Sequence, residues 1–481
     1  MRASANLAKH RKQRHQRGTA LIMVLLAIVV LTVFLTEVQG ETATGLASAI
    51  AARDRLKAEY HARSAINLAR MLIATEPTVR RAIAPMLMLM GQKGKPPQIP
   101  VWEFADQVLG IYNGNTGAAD FGALAGVDPQ AAENVGLGTA GHFVLAIVDE
   151  DSKINVNIAA RGDTFSSMQI ASQLMGLMVG PQYDPMFDGL DPDGQVSDRA
   201  TICGAIIDWA DWNEERESCA LSAEATAAGA EDNFYQTIGL DYFRKNAAFD
   251  SLDELRLVRG MSDDFWGTFV DPDPQDPKKR IMTVWGQGKI NVNTANAQTL
   301  WALVCGPTGA PDAPMCIDPL QAAGFMSAVS LVRGFTMGAP LFGSAKDFVT
   351  TMKGGGMLGP FLTMAGVQPV QAFKSEDHIR KMVTTKSKMF SIYAEGVVPS
   401  RRRETRVSIH AVIDFRNATD VSQVDPGGLA AMLGGSAAEG SADASARPGA
   451  GAADLSALDP AGMMVALMSN PAGNIVYWRV Q

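Results

Sequence analysis

Residues 17–36 read RGTALIMVLLAIVVLTVFLT, and this stretch decides the architecture of the chain. Residues 19–36 carry no charge, and as a helix that rises about 1.5 Å per residue they nearly cross the hydrocarbon core of a membrane. The six basic residues before Gly18 lie in a segment without an acid, whereas Glu37 and Glu41 follow the apolar run. This asymmetry predicts a single span with a cytoplasmic N-terminus and an exported body.

The rest of the chain reads as an acidic, folded body. The 481 residues are 47% hydrophobic and 19% charged, which provides enough apolar material for two or three cores. The net charge is -8, and without the six basic residues before Gly18 the chain has 36 basic and 50 acidic residues. Because binding to a phosphate backbone depends on clustered Lys and Arg, we expect no nucleic-acid partner.

The apolar span is predicted to continue as an amphipathic helix. No proline lies between Thr19 and Thr75. Small and apolar residues repeat along one face of this segment: Ala58, Ala62, Ala65, Ala69 and Leu72. We expect the helix to end at Pro77, because proline removes a backbone donor and clashes with the preceding turn.

The position of the glycine distinguishes this N-terminus from a secretory signal peptide, whose cleavage site follows the apolar run. Residues 17–22 (RGTALI) resemble the class III leader of type IV pilins and pseudopilins. The resemblance implies that a prepilin peptidase cuts after Gly18, so that Thr19 becomes the first mature residue. Such subunits usually carry Glu at mature position five, where this chain has Met23. The alternative is an uncleaved membrane anchor.

The exported body contains an internal repeat. Residues 142–157 (HFVLAIVDEDSKINVN) predict a strand, a turn and a second strand, and the KINVN of residues 153–157 recurs at residues 289–293. Asn at such a position can end a strand and cap the next helix. We interpret the repeat as two strand-to-helix junctions.

The region between the repeats reads as mostly helical. Residues 251–254 (SLDE) form a capping box before a short helix that stops at Gly260, and Ser262 caps a second short helix. This helix pair is either a helix-hairpin-helix DNA module or a small packed helical domain. The acidic body favours the packed domain.

The sequence of the C-terminal part predicts three strands and a flexible segment. Residues 390–398 and 406–415 alternate as two antiparallel strands, and residues 474–480 form a third. Residues 426–460 are rich in Gly, Ala and Ser, which indicates a flexible segment rather than a domain.

The four cysteines form two local pairs, Cys203 with Cys219 and Cys305 with Cys316. Their spacing is longer than that of a zinc knuckle or a redox motif. In an exported body they predict two local disulfides, whereas a cytosolic body would favour four buried free thiols.

Taken in order, these features resemble the minor pseudopilin K of type II secretion systems. The resemblance rests on Arg17-Gly18, residues 206–211 (IIDWAD), residues 229–232 (GAED), residues 251–261, residues 288–295 and residues 477–479 (YWR). It implies an α+β fold with an N-terminal transmembrane pilin-like helix, an antiparallel pilin-type sheet and a large inserted, mainly α-helical domain. We therefore divide the chain into a leader (1–18), the pilin helix (19–76), the first part of the pilin-like domain (77–158), the inserted helical region (159–375) and the C-terminal sheet part (376–481).

The resemblance also implies a function. Such a subunit is structural and has no catalytic activity. It lies at the tip of a pseudopilus with minor pseudopilins I and J and the major pseudopilin, and helps to initiate its assembly for the export of folded proteins. After processing by the prepilin peptidase it would be a single-pass protein of the bacterial inner membrane with a periplasmic body.

Members of this family are similar in binding calcium in the inserted domain. The candidate oxygen ligands here are Asp208, Asp211, Asn213, Glu214, Glu231 and Asp232. The alternative is a solvated acidic loop. Asp188, Asp191, Asp193 and Gly194 form a second acidic turn, but the EF-hand spacing fails because position twelve is Ala200.

Three other functions compete with this interpretation. A membrane-tethered DNA-uptake protein would use similar helix-hairpin-helix junctions, but the segment after Thr294 lacks the Gly-x-Gly hairpin. A periplasmic hydrolase would need a nucleophile or metal centre, and no HExxH, GxSxG or P-loop motif occurs. A type IV pilus minor pilin would share the leader and helix, and differs only in lacking the inserted domain and the terminal motif.

Overall fold

The computed structural model describes residues 3–89, 96–109, 141–190, 194–219, 233–308, 313–336, 338–356, 358–399, 404–418 and 470–481. Within these residues the chain has an α+β fold. One long helix packs on an antiparallel sheet of four strands, and a mainly helical body joins one end of that sheet. The fold class predicted from the sequence is confirmed.

The helices are α1 (Ala3–Leu89), α2 (Ala105–Leu109), α3 (Thr164–Met178), α4 (Asp184–Phe187), α5 (Arg199–Ala210), α6 (Asn233–Ile238), α7 (Asp263–Phe265), α8 (Ala297–Cys305), α9 (Pro314–Ile317), α10 (Pro319–Phe335), α11 (Ala345–Met352), α12 (Gly359–Met364) and α13 (Glu376–Met382). The strands are β1 (His142–Asp149), β2 (Ile154–Asn155), β3 (Met282–Thr283), β4 (Ile290–Asn291), β5 (Val383–Thr384), β6 (Met389–Pro399), β7 (Glu404–Asp414) and β8 (Asn474–Val480).

Helix α1 contains the apolar segment and continues far beyond it. Between Gly18 and Pro85 it includes a window of mean hydropathy 2.8, none of it buried, which is long and apolar enough to cross a membrane. The prediction that this helix ends at Pro77 is wrong, because α1 runs through that proline to Leu89. An ion pair bridges the proline, since Glu76 is buried and lies 3.5 Å from Arg80 one turn later.

The alanine stripe of α1 packs on the sheet. Ala58, Ala62, Ala65 and Ala69 are completely buried, and Leu72 is partly buried against the same core. Small side chains let the helix backbone approach the sheet closely. The predicted amphipathic face is therefore confirmed.

The four-stranded sheet has the order β1-β6-β7-β8, with every neighbouring pair antiparallel. The strands predicted at residues 390–398, 406–415 and 474–480 are confirmed to within two residues at each end. Between β7 and β8, the predicted flexible segment 426–460 lies outside the described residues.

The helical body contains two similar units, one after each KINVN repeat. β2 pairs in parallel with β3, and β4 pairs in parallel with β5. In the first unit Asn157 accepts a hydrogen bond from the backbone N–H of Phe249 and donates to its C=O, at 2.7 and 2.9 Å. In the second, Asn293 makes the same two bonds with Phe342, at 2.8 and 3.0 Å.

The repeated asparagines also act locally. The side chain of Asn155 ends β2 and caps the following 3-10 helix by accepting from Asn157 N–H at 3.0 Å, as predicted. Asn291 makes the equivalent bond with Asn293 N–H at 3.1 Å. The next helix of the second unit, α8, is instead capped by Asn296.

One of the two predicted helix caps differs. Ser262 caps α7 by accepting from Phe265 N–H at 3.1 Å, as expected. The capping box at residues 251–254 is wrong, because Ser251 makes no side-chain cap bond and the element is a 3-10 helix. Glu254 instead accepts from Asp250 N–H at 2.8 Å and from the indole of Trp209 at 2.9 Å, which draws it away from the expected position.

Candidate functional site

The residues of the predicted processing site lie on α1. Gly18 and Thr19 are within the continuous helix, and no atom lies within 4 Å of a Cβ built on Gly18. Met23 is 72% exposed, in line with the other apolar side chains of this segment. The helix thus presents an uncovered apolar surface from the first predicted mature residues onward, and leader cleavage remains a prediction.

The predicted cysteine pairs are confirmed. Cys203–Cys219 and Cys305–Cys316 are disulfides with Cα atoms 6.0 and 5.6 Å apart. The first ties α5 to the loop that follows it, and the second joins the end of α8 to α9. One disulfide therefore lies in each unit of the helical body.

Two of the candidate calcium ligands come together at the end of α5. Asp208 accepts from Glu217 N–H at 2.7 Å, and Asp211 accepts from the Asn213 amide at 2.6 Å. Burial raises the pKa of Asp208 to about 7, and burial together with the charge of Glu217 raises the pKa of Asp211 to about 6. Oδ1 of Asp211 is buried without a described hydrogen-bond partner. Arg216 lowers the pKa of Asp208 and Arg244 lowers that of Asp211, so part of the negative charge is already offset. The two carboxylates and the unpartnered oxygen of Asp211 have the chemistry to hold a cation.

The other candidate ligands contribute less. Both ends of the Asn213 side chain are engaged, since its oxygen accepts from Glu215 N–H at 2.7 Å, and Glu214 is exposed. Glu231 and Asp232 lie outside the described residues, as do Asp191 and Asp193 of the second acidic turn, whereas Asp188 and Gly194 are exposed. In the part of the chain that the structure describes, no three His, Cys, Asp or Glu side chains form a metal-binding group.

A buried polar network joins the sheet to the helical body. Asp149, at the end of β1, accepts hydrogen bonds from Thr294 Oγ1 at 2.5 Å and from the Ser387 hydroxyl. Burial and the charge of Asp151 raise the pKa of Asp149 to about 8, although the two hydroxyls lower it. Asp151 accepts from Gln287 N–H and Lys388 N–H, both at 2.7 Å.

Sequence reasoning missed this network, because it treated the acidic run after β1 as a turn. Both aspartates are almost completely buried. The available signal was their position directly between a strand rich in buried residues and the first KINVN repeat. An acid in such a place has to be satisfied by distant groups.

The helical body lies at the end of the sheet that is farthest from the apolar segment. The chain leaves the sheet after Asp149, the last residue of β1. Asp149 pairs with Phe390, near the start of β6, where the chain re-enters the sheet. Phe390 lines the same cavity of about 220 Å³ as Ile73 of α1. At the other end of β6, Gly396 lies against Ala58, which is closer to the apolar segment along the helix. A membrane around that segment would therefore face away from the helical body.

Residues 152–268 match the family model for protein K of the type II secretion system. The matched segment covers 117 of the 481 residues, about a quarter of the chain, and this part of the helical body is similar to protein K. The matched region includes α3, α5, the Cys203–Cys219 disulfide and the Asp208–Asp211 pair. The family is a structural component of the secretion machinery, and its members are minor pseudopilins. The resemblance inferred from the sequence motifs is confirmed, and the exposed apolar part of α1 fits a single-pass membrane anchor.

A solved structure shows a more distant likeness. A chain in the crystal structure of the GspK-GspI-GspJ complex from the type 2 secretion system of enterotoxigenic Escherichia coli has 14% identity and a TM-score of 0.34. The match covers 57% of this chain and 75% of that chain. This likeness is too distant to support an inference. No curated protein matches the chain.

Proposed function

We propose that this chain is a minor pseudopilin of the protein K type, that it occupies the tip of the pseudopilus and that it helps to initiate pseudopilus assembly. The observation that carries the proposal is the position of the helical body at the membrane-distal end of the sheet, beside Asp149 and Phe390. In a filament whose subunits are added from the membrane, a later subunit lies below an earlier one. A large body at the distal end would obstruct a subunit above, and the tip is the place without one.

The apolar segment supports the same position. Pilin-like subunits usually neutralise the N-terminal ammonium of the subunit above with a Glu at mature position five, and this chain has Met23 there. An ammonium left unpaired in a low-dielectric membrane is costly. The first subunit of an assembly has no neighbour above it, so Met23 carries no such cost at the tip.

The partners and location follow from this role. We propose minor pseudopilins I and J as neighbours in the tip complex, and the major pseudopilin below them. The basic residues before Gly18 favour a cytoplasmic N-terminus in the inner membrane, with the body in the periplasm. The prepilin peptidase would then act after Gly18, and the two disulfides suit the oxidising compartment.

The proposed role is structural, without catalysis and without nucleic-acid binding. Calcium would be held by Asp208 and Asp211, with further ligands from the neighbouring loop, and would stabilise the first helical unit rather than support a reaction.

Co-expression of the full chain with minor pseudopilins I and J tests the proposal. A complex that contains all three, in which this chain begins at Thr19 by N-terminal sequencing, is the expected result. A chain that stays monomeric, or that still begins at Met1, would contradict the assembly role or the processing step respectively.

A further inference from the structure

The two edge strands of the four-stranded sheet, β1 and β8, differ in whether other elements cover them. The edge formed by β1 is covered, because α2 and the turn at Pro277–Lys279 pack against it. Beyond β8, no described element of the chain pairs with the other edge. An uncovered edge strand offers a row of backbone N–H and C=O groups to another chain.

The hydrogen-bonding pattern identifies which groups face outward. Ser408 and Gln481 exchange both backbone hydrogen bonds, at 2.8 and 3.3 Å. Opposite residues in an antiparallel pair alternate between hydrogen-bonded and non-hydrogen-bonded positions. Arg479 therefore bonds to His410 of β7, whereas the N–H and C=O of Trp478 and Val480 point away from β7.

The side chains beside these groups are apolar and accessible. Trp478 lies opposite Ala411 and Val480 opposite Ile409, and both partners belong to the core that faces α1. Trp478 is nevertheless 37% exposed and Val480 40% exposed. The strand reads NIVYWRV and contains no Pro or Lys, the residues that commonly protect an edge from pairing.

The strand is also held in place before any partner binds. Arg70 of α1 donates to the carbonyl oxygens of Ala472 and Gly473, both at 2.9 Å, just before β8 begins. On the other face, the ring of Tyr477 contacts those of His410 and Trp285, with centroids 5.2 and 5.8 Å apart. Because β8 is already ordered by these contacts, it loses less conformational entropy when another strand pairs with it.

The charge of Arg479 indicates which type of side chain a partner strand would place beside it. Arg479 is exposed on the face opposite Trp478 and forms no ion pair with any carboxylate in the described part of the chain. An acidic side chain on an added strand would be able to pair with it.

Subunits anchored in the same membrane hold their sheets at similar heights, which raises the effective concentration of one sheet near another.

We propose that the outer edge of β8 binds an extended segment of another membrane-anchored pilin-like subunit as a fifth strand. The segment places apolar side chains against Trp478 and Val480, and an acidic side chain opposite Arg479. This inference rests on the proposed function, because it requires that the chain assembles with other pilin-like subunits.

Hydrogen exchange of the full chain, alone and co-purified with minor pseudopilins I and J, tests the proposal at single residues. The amides of Tyr477 and Arg479 should be protected in both samples, since they bond to β7. Those of Trp478 and Val480 should exchange fast in the isolated chain and at least tenfold more slowly in the complex.

A complex in which Trp478 and Val480 still exchange fast would overturn the strand addition and leave the proposed function standing. Protection in the isolated chain would also overturn it, because the chain itself would then cover the edge. Failure to form any complex would overturn both proposals.

Matched substitutions provide a second measurement. Val480→Lys should weaken complex formation by roughly tenfold or more, because it buries a charge at the new strand pair. Val144→Lys changes a 53% exposed valine at the covered edge and should leave the affinity unchanged. Arg479→Glu should weaken the complex and Arg479→Lys should retain it. Equal affinities for all four variants and the wild type would contradict the proposal.

Discussion

Gly396 of β6 lies against the backbone of Ala58 in α1, so close that a Cβ atom at position 396 would come within 1.8 Å of the Ala58 carbonyl oxygen. The helix and the sheet meet here through backbone alone. Ala62 extends the same contact one turn later, since its nitrogen would lie 2.8 Å from that Cβ. This close approach fixes the separation of α1 from the sheet.

Gly396→Ala should therefore destabilise the helix-sheet core. The added methyl group overlaps backbone atoms that cannot rotate away, and overpacking of this kind costs roughly 1–3 kcal/mol or more. Urea unfolding followed by circular dichroism measures the loss. Gly189→Ala is the matched control, because no atom lies within 4 Å of its Cβ position and its free energy of unfolding should be nearly unchanged. Equal stability of the two variants would disprove the close contact.

The two asparagines of the repeat should contribute similar stability. Asn157→Ala leaves the backbone groups of Phe249 without their side-chain partner, and Asn293→Ala does the same at Phe342. Each should lower the free energy of unfolding by about 1–3 kcal/mol, the usual cost of unsatisfied buried polar groups. Asn474→Ala, at the exposed start of β8, serves as the control. A large effect from only one of the two repeat positions would show that the units are not energetically equivalent.

The buried Asp149 should make stability depend on pH. Its pKa is raised to about 8 in the folded chain, so the folded state keeps a proton that an unfolded aspartate loses near pH 4. This stabilisation is complete below about pH 4 and disappears as the pH rises through about 8. Between pH 5 and 8 the free energy of unfolding of the wild type should therefore fall by at least about 1 kcal/mol more than that of Asp149→Asn, as measured by thermal melts. Parallel pH profiles of the two proteins would show that Asp149 does not titrate in this range.

Calcium, if the first helical unit holds it, should raise the melting temperature, because it binds the folded state only. Chelation should lower the melting temperature of the wild type, and Asp211→Asn should remove most of that difference. Asp188→Asn, in the exposed acidic turn, should respond to the chelator like the wild type. A melting temperature that does not change on chelation would show that calcium does not stabilise the first helical unit.

Local sequence patterns predicted those structural elements that depend on residues close together in the sequence. The alternation of residues 406–415 identified β7, because this periodicity reflects one buried face. The apolar run identified the part of α1 that is long and apolar enough to cross a membrane. The two disulfides were predicted from two local cysteine pairs in a body expected to be exported.

The features that were missed depend on contacts distant in sequence. Asp149 is satisfied by Thr294, 145 residues away, and no local pattern reveals that bond. Where α1 continues past Pro77, the buried Glu76 accepts from Ile99 N–H at 2.9 Å, a contact across 23 residues that the local sequence does not reveal. The failed capping box likewise reflects Trp209, which engages Glu254 from another helix. Residues 231 and 232 of the calcium prediction lie outside the described part of the chain.

The position of the chain in assembled pseudopili tests most directly whether this subunit occupies the tip. Gold labelling of an epitope on the full chain, in filaments assembled with the other pseudopilins, should mark one end of each filament. Overexpression of this chain alone should yield no long filaments. Met23→Glu should retain membrane insertion but permit label within the shaft, because the new carboxylate can pair with the ammonium of a subunit above. Wild-type label distributed along the whole filament, with no preference for one end, would contradict the account.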